Sequence, residues 1–245
     1  MRGNGPPLVL VHGWCLNRGL WIYQEEALSH TFRVLSLDLP GFGDSRALAG
    51  PYDLDRHADE LGRFLEELDL HEAVVVGFAF GAAVAMTLAR RDVSRVGGLV
   101  LIGVPSAAHA PYGRMPGAMR RDWPDFAARS AAAICKQPLS DASLRWLGEM
   151  FRQTPLPVAL ETVDVLGRFE PLPLATDITV PTLLVHGEND DVVPITVSEA
   201  CAMAIPKGKL AVVPDSGHLV VIDQAERLSR LVSEFAALSE ASALG

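Results

Sequence analysis

Short apolar runs rich in β-branched residues alternate along this chain with longer stretches whose apolar positions recur every three or four residues. The short runs predict strands at 8–12, 33–39, 73–78, 98–103, 182–187 and 209–213. The longer stretches predict helices at 20–29, 54–68, 80–91, 196–204 and 225–238. Such alternation is the mark of βα units that build a parallel sheet. Near-continuous apolar character, as from Ala73 to Val76, marks strands covered on both faces. Asp53 is the N-cap candidate of the second helix. Within that helix Leu54, Leu61, Phe64, Leu65 and Leu68 share a face.

The rhythm breaks between Ser106 and Pro173, where prolines separate short helical pieces and no strand pattern recurs. We expect a helical cap at 106–173, inserted into a core made of 1–105 and 174–245. The cap holds eight basic and seven acidic residues, a net charge of about +1 that leaves about −10 for the rest of a chain whose total is −9. An acidic chain without a Lys/Arg run speaks against nucleic-acid binding. No apolar run approaches the roughly 20 residues of a membrane span, and no secretory leader pattern precedes the first strand, so the cytoplasm is the expected compartment. Three cysteines, Cys15, Cys135 and Cys201, lie far apart without metal-ligand spacing; reduced thiols, no metal and no cofactor are expected. Cys15 adjoins a functional loop, but a small buried thiol is its plainer reading.

Four motifs carry chemistry. Gly77-Phe78-Ala79-Phe80-Gly81 joins a strand to a helix with the glycine spacing of a G-x-S-x-G nucleophile elbow, and Ala79 stands where the serine belongs. On its own a short glycine pattern fits any tight βα turn. The loop His12-Gly13-Trp14 after the first strand adds to it, because such a loop and the residue after the nucleophile supply the backbone N–H groups of an oxyanion hole. Trp14 and Phe80 are the candidates, and His12 reads as a brace for its loop. Strand 182–187 runs into Gly187-Glu188-Asn189-Asp190-Asp191, where the spacing from Gly187 favours Asp190 as the acid and leaves Asp191 as a solvated neighbour. His186 reads as a packing or loop residue. Finally Gly217-His218 follows the last strand, and His218 completes the order nucleophile, acid, histidine. His30, His57, His71 and His109 read as surface or cap residues.

With these motifs in order the chain resembles the α/β-hydrolases over nearly its whole length. The resemblance implies an α/β-hydrolase fold: a mostly parallel twisted sheet, helices on both faces, and a helical cap. The run from His12 to Asn17, Trp21, and the loop Asp38-Leu39-Pro40-Gly41-Phe42-Gly43-Asp44-Ser45 are similar to the methyl ester esterases that act on pimeloyl chains held by acyl carrier protein in biotin synthesis. Two features depart from that pattern: Ala79, and only about six residues ahead of the first strand where the family has an antiparallel hairpin.

The resemblance implies a mechanism in which His218 takes the proton of a serine at position 79, Asp190 fixes the imidazole tautomer, and the oxyanion rests on the N–H groups of Trp14 and Phe80. With Ala79 the chain is expected to bind a small-molecule or carrier-bound ester without turning it over. That alanine reads either as a replaced serine or as the mark of a natural non-catalytic relative. Other readings stay open: a small-ester or lactone carboxylesterase, a ligand-binding protein, or cofactor-free lyase or dioxygenase chemistry run by the His/Asp pair alone. For an acyl carrier partner the docking candidates are Arg114, Arg120, Arg121, Arg129, Arg145 and Arg152, proposed on charge; the plainer reading is a solvated cap whose arginines pair locally, as Arg121 with Asp125.

Overall fold

The computed structural model describes residues 1–91, 94–108 and 112–243. Six strands, β1 (Pro7–Val11), β2 (Arg33–Leu37), β3 (Ala73–Phe78), β4 (Val96–Ile102), β5 (Thr182–Gly187) and β6 (Gly208–Val213), form one sheet in the order β2-β1-β3-β4-β5-β6. Every neighbouring pair is parallel. In chain order the helices are α1 (Ile22–Leu28), α2 (Leu54–Glu67), α3 (Phe80–Arg91), α4 (Met115–Arg121), α5 (Trp123–Ala133), α6 (Asp141–Gln153), α7 (Leu156–Leu166), α8 (Pro171–Ala175), α9 (Ile195–Ala204), α10 (Val220–Asp223) and α11 (Ala225–Ala243). Between β4 and β5 the described residues form helices and turns and add no strand. No helix among the described residues is long and apolar enough to cross a membrane.

The strands take the sheet interior because they are apolar on both faces. All six residues of β3 are buried, and Leu8 to Val11 of β1 are fully so. Helices α1 and α11 pack on each other, and α11 also lies against β3 and β4. Helix α3 packs against β1, β3 and β4 and carries α2 on its outer side. Phe80 to Ala89 are all buried, so α3 is apolar all round, and its alanines allow close approach to the sheet. From β1 the chain crosses to β2 on one side, and from β3 to β4 on the other. The loops after β1 and β3 therefore border the crevice where the strand order reverses, the usual binding position of an open parallel sheet.

Several boundaries shift from the sequence reading, among them the end of the first strand, the start of α1 and the end of α11, and three differences have a plain physical reason. β4 begins at Val96 because Gly97 is accommodated as a bulge: Ala73 pairs with Val96 and Val74 with Gly98. β2 ends at Leu37 because the next residues leave the ladder. The Asp38 carboxylate accepts the Arg18 N–H at 2.6 Å and the Asp44 N–H at 2.9 Å, and the Leu39 N–H turns to His12 Nε2 at 3.1 Å. On α2, Asp53 caps as expected, accepting the Arg56 N–H at 2.8 Å. The stripe buried there is His57, Ala58, Leu61 and Leu65, whereas Leu68 is exposed. His57 is thus a core residue and not a surface one; it sits among Phe42, Tyr52 and Phe80, edge-on to Phe80 with ring centroids 5.1 Å apart.

Burial, helped by His12, lowers the His57 imidazole from 6.5 to about 4. The unfolded chain then binds this proton more readily than the folded one, so stability is lost as pH falls from the unfolded value through the folded one. At pH 4.5 the loss from this ring is about 2–3 kcal/mol relative to neutral pH, at 1.36 kcal/mol per unit. Urea unfolding at pH 7 and 4.5 measures it. His57→Phe is expected to lose markedly less stability between the two pH values than the parent, and an equal loss would assign the acid sensitivity to other groups.

Candidate active site

The turn from β3 into α3 is made at Ala79, whose φ of +47° lies in the left-handed region that side-chain-bearing residues rarely adopt. The turn holds because its glycines allow backbone to lie on backbone. A Cβ on Gly77 would meet the Gly81 carbonyl oxygen at 2.5 Å, and one on Gly81 would meet the carbonyl oxygens of Val11 and His12 at 2.3 and 2.6 Å. The Ala79 N–H is tied to the Ile102 carbonyl at 2.8 Å. Ala79 itself remains half-buried and borders the cavity described below.

Phe80 is the first residue of α3, so its N–H has no partner inside the helix. Among the described residues the N–H groups of Trp14 and Phe80 make no loop or turn backbone hydrogen bond. His12 is fully buried beneath the Trp14 loop. Its Nε2 accepts the Leu39 N–H, which leaves Nδ1 to donate to the Gly13 carbonyl at 2.8 Å. Burial holds this ring below the usual histidine range despite the Gly13 bond and the Asp38 charge, so it braces the loop as a neutral group. The Trp14 indole N–H donates to Thr162 Oγ1 on α7 at 3.0 Å, and its ring meets Phe126 and Phe151 edge-on.

At the far side of the crevice Asp190 Oδ2 lies 2.8 Å from His218 Nδ1. Asp190 Oδ1 accepts the N–H groups of Val192 and Val193 at 2.8 and 2.9 Å. Burial alone would raise this carboxyl, but the His218 charge, its hydrogen bond and the Val193 N–H together hold it below the ordinary value. Asp191, by contrast, keeps 85% of its side chain exposed and lies 4.0 Å from the Lys136 ammonium. Two contacts bring the acid and histidine loops together. A Cβ on Gly187 would meet the Gly217 carbonyl oxygen at 2.1 Å, and the Asn189 N–H donates to the Ser216 carbonyl at 2.9 Å. Gly103 (φ +58°) faces the imidazole; a Cβ there would stand 3.0 Å from His218 Cε1.

Ala79, Trp14, Phe80 and His218 all line one cavity of about 290 Å³. Phe126, Phe151 and Leu166, from the helices between β4 and β5, form much of its apolar wall. Among the described residues its polar side chains are Tyr112, Ser130, Trp14 and His218, and no Asp, Glu, Lys or Arg lines it. The wall residues escaped sequence reasoning because helix periodicity gives a face but not what that face meets.

The remaining candidates separate. Arg114, Arg120, Arg121 and Arg145 are exposed and form no ion pair with another described residue, whereas Arg129 pairs with Asp125 and Arg152 with Glu149, each at 2.6 Å. Asp125, suggested as a partner for Arg121, is therefore taken by Arg129. Cys15, Cys135 and Cys201 are free cysteines; burial raises each thiol, Cys15 well above its ordinary value and Cys201 to about 11. His30 and His71 are exposed, and His109 lies outside the described residues.

Comparison with known proteins agrees with the fold. Residues 8–231 match the family described as "Alpha/beta hydrolase family". A pimeloyl-[acyl-carrier protein] methyl ester esterase from Aromatoleum aromaticum is 32% identical over 251 residues, covering 94% of this chain and 98% of that protein. A 2-hydroxymuconate semialdehyde hydrolase from Pseudomonas putida is 32% identical over 263 residues, covering 99% and 90%. Among solved structures, an esterase from Exiguobacterium antarcticum superposes with a TM-score of 0.91 at 22% identity, covering 96% and 93% of the two chains.

The glycine contacts of the elbow have a measurable consequence. Gly81→Ala puts a methyl group against two carbonyl oxygens that belong to the sheet edge. Overpacking of this kind costs about 1–3 kcal/mol, and backbone neighbours cannot rotate away, so we expect the upper part of that range. Chemical denaturation checks it, with Gly117→Ala on α4, which has nothing within 4 Å, as the control expected to be neutral or to stabilise by up to about 1 kcal/mol.

Proposed function

The chain belongs to the alpha/beta hydrolase family, and on that premise we propose that it carries the machinery of a serine-type carboxylic ester hydrolase arrested at the nucleophile position by Ala79. The observation that carries this reading is the 2.8 Å contact between His218 Nδ1 and Asp190 Oδ2 beside a cavity that Ala79 also lines. With serine at position 79, His218 Nε2 would take the hydroxyl proton as Oγ bonds to the ester carbonyl carbon. Asp190 would stabilise the imidazolium, and the N–H groups of Trp14 and Phe80 would meet the oxyanion. The imidazolium would then give its proton to the departing alcohol, and water, deprotonated by the same histidine, would release the acid. Alanine lacks only the attacking oxygen. Loss of a triad nucleophile lowers turnover by about 10⁶ while binding survives.

For substrate, we infer an ester of an apolar acyl chain. The cavity wall is apolar and uncharged, which suits methylene groups and disfavours a free carboxylate. Similarity to the Aromatoleum aromaticum esterase suggests a methyl ester of a chain carried on acyl carrier protein, hence a cytoplasmic step of biotin precursor synthesis. In this reading residues 106–173 act as a cap over a core of 1–105 and 174–245, and the arginines with no ion pair among the described residues, Arg114, Arg120, Arg121 and Arg145, receive the carrier. The intact His218–Asp190 pair beside an alanine also fits a second reading, proton abstraction without a covalent step; in that case added serine brings no ester hydrolysis.

Ala79→Ser is expected to raise hydrolysis of short p-nitrophenyl esters by several powers of ten, toward the roughly 10⁶ that a nucleophile supplies. A folded Ala79→Ser protein with no gain sinks the esterase reading. In the Ala79→Ser background Asp190→Asn should lower kcat by about 10⁴ through the wrong imidazole tautomer, while Asp191→Asn changes it little. Reversing Arg120, Arg121 and Arg145 to Glu in that background should slow a carrier-bound ester, most at low salt where screening is weak, and leave free esters unchanged. An equal fall for both substrates, or none for either, removes the carrier from the proposal.

A further inference from the structure

His186, at the end of β5, is fully buried beneath the turn that carries Asp190. Its two ring nitrogens have partners of different kinds, and these fix the tautomer. Nε2 lies 3.0 Å from the Val193 carbonyl oxygen, which only accepts, so Nε2 bears the proton. Nδ1 lies 2.8 Å from Ser198 Oγ on α9 and, in the neutral ring, accepts the hydroxyl proton. Burial keeps this imidazole below its ordinary value against the pull of Asp190, in agreement with a neutral ring.

Val193 is therefore held at both ends. Its carbonyl is fixed by His186, while its N–H, with that of Val192, saturates Asp190 Oδ1 at 2.9 and 2.8 Å. Only Oδ2 is left to face His218 Nδ1, at 2.8 Å. His186 Nε2 stands 3.6 Å from the same Oδ2, too far for a hydrogen bond, so His186 does not compete with His218 for the acid. A hydrocarbon side chain would fill the space but leave the Val193 carbonyl buried and unpartnered. The Val193–Pro194 peptide could then turn, and its movement would pass through the Val193 Cα to the Val192–Val193 peptide, whose N–H bonds Oδ1.

We propose that His186 is a positioning residue for the acid: by holding the Val193 carbonyl, it fixes the 190–193 turn so that Asp190 presents Oδ2 to His218 in one orientation. The proposal rests on reading Asp190 and His218 as the working acid–base pair.

Two readouts test it, one independent of ester hydrolysis. In the chain with Ala79, the His218 Nδ1–H proton is followed by NMR, where its bond to Asp190 places it downfield and slows its exchange with water. In folded His186→Leu this resonance should move upfield and exchange faster. His186→Gln, whose amide N–H reaches toward Val193, should keep it close to the parent position. In the Ala79→Ser background His186→Leu should lower kcat by about 10²-fold with KM nearly unchanged, as expected for a misplaced reacting group, and His186→Gln should recover most of that loss. If His186→Leu fails to fold, Ser198→Ala, which leaves the ring held on one side only, should shift the same resonance in the same direction by a smaller amount. A folded His186→Leu with unchanged resonance, a His186→Gln no better than His186→Leu, or a silent Ser198→Ala each overturns the proposal. Should Ala79→Ser hydrolyse nothing, the esterase reading falls, and the resonance still decides the role of His186.

Discussion

Between β3 and α3 the main chain must reverse at Ala79, and it does so at a φ of +47° because its surroundings leave no room for another path. The conformation costs on the order of 1–2 kcal/mol for a residue with a Cβ. It is offset by backbone contacts that only Gly77 and Gly81 permit, and by the Ala79 N–H bound to the Ile102 carbonyl. Because Gly81 lies directly on the carbonyl oxygens of Val11 and His12, the first turn of α3 and the loop after β1 are set against each other. The open N–H of Phe80 and the Trp14 loop are thus brought to the same crevice by main-chain atoms. No side-chain oxygen at position 79 takes part in any of this. The turn therefore needs no hydroxyl at position 79 to keep its shape.

The other side of the crevice repeats one device. Both His12-Gly13 and His186-Gly187 close a parallel strand with a fully buried imidazole followed by a glycine. In each case one ring nitrogen donates to a loop carbonyl and the other accepts, from the Leu39 N–H or the Ser198 hydroxyl. In each case the glycine admits a neighbour that a Cβ would repel, the Phe78 ring at Gly13 and the Gly217 carbonyl at Gly187. A neutral imidazole suits the position: it is a rigid plane with one donor and one acceptor, and burial keeps it from charging. Loops at the strand ends are thereby fixed from below, and neither imidazole lines the cavity.

What was legible in the sequence was local. Strand runs, the Gly77–Gly81 turn, and the placement of Asp190 and not Asp191 beside His218 follow from periodicity and from turns that only certain residues permit. What was not legible depends on partners distant in sequence. β4 starts at Val96 since Gly97 bulges against the Glu72 backbone, a contact across strands. His57 is buried at i, i+4 and i+8 with Leu61 and Leu65, a pattern obscured by counting histidine as polar. The division of the arginines into paired and unpaired turned on rotamers, with Arg129 and not Arg121 reaching Asp125. The cavity wall needed the packing of helices whose faces, but not neighbours, periodicity gives.

Within the proposed function, the uncharged cavity and the exposed arginines do different things. Each methylene buried against Phe126, Phe151 and Leu166 is worth about 0.8 kcal/mol, nearly independent of salt. An exposed arginine such as Arg120 or Arg145 contributes at most about 1 kcal/mol, and its field fades within about 10 Å at 0.1 M salt. Affinity for a carrier-bound ester would therefore come chiefly from the chain in the cavity, and the arginines would govern the rate and orientation of encounter on a chain whose total charge is −9. Neither contribution passes through position 79. A chain that cannot form the covalent intermediate would keep the association energy of an active one and lose only the step that empties the site.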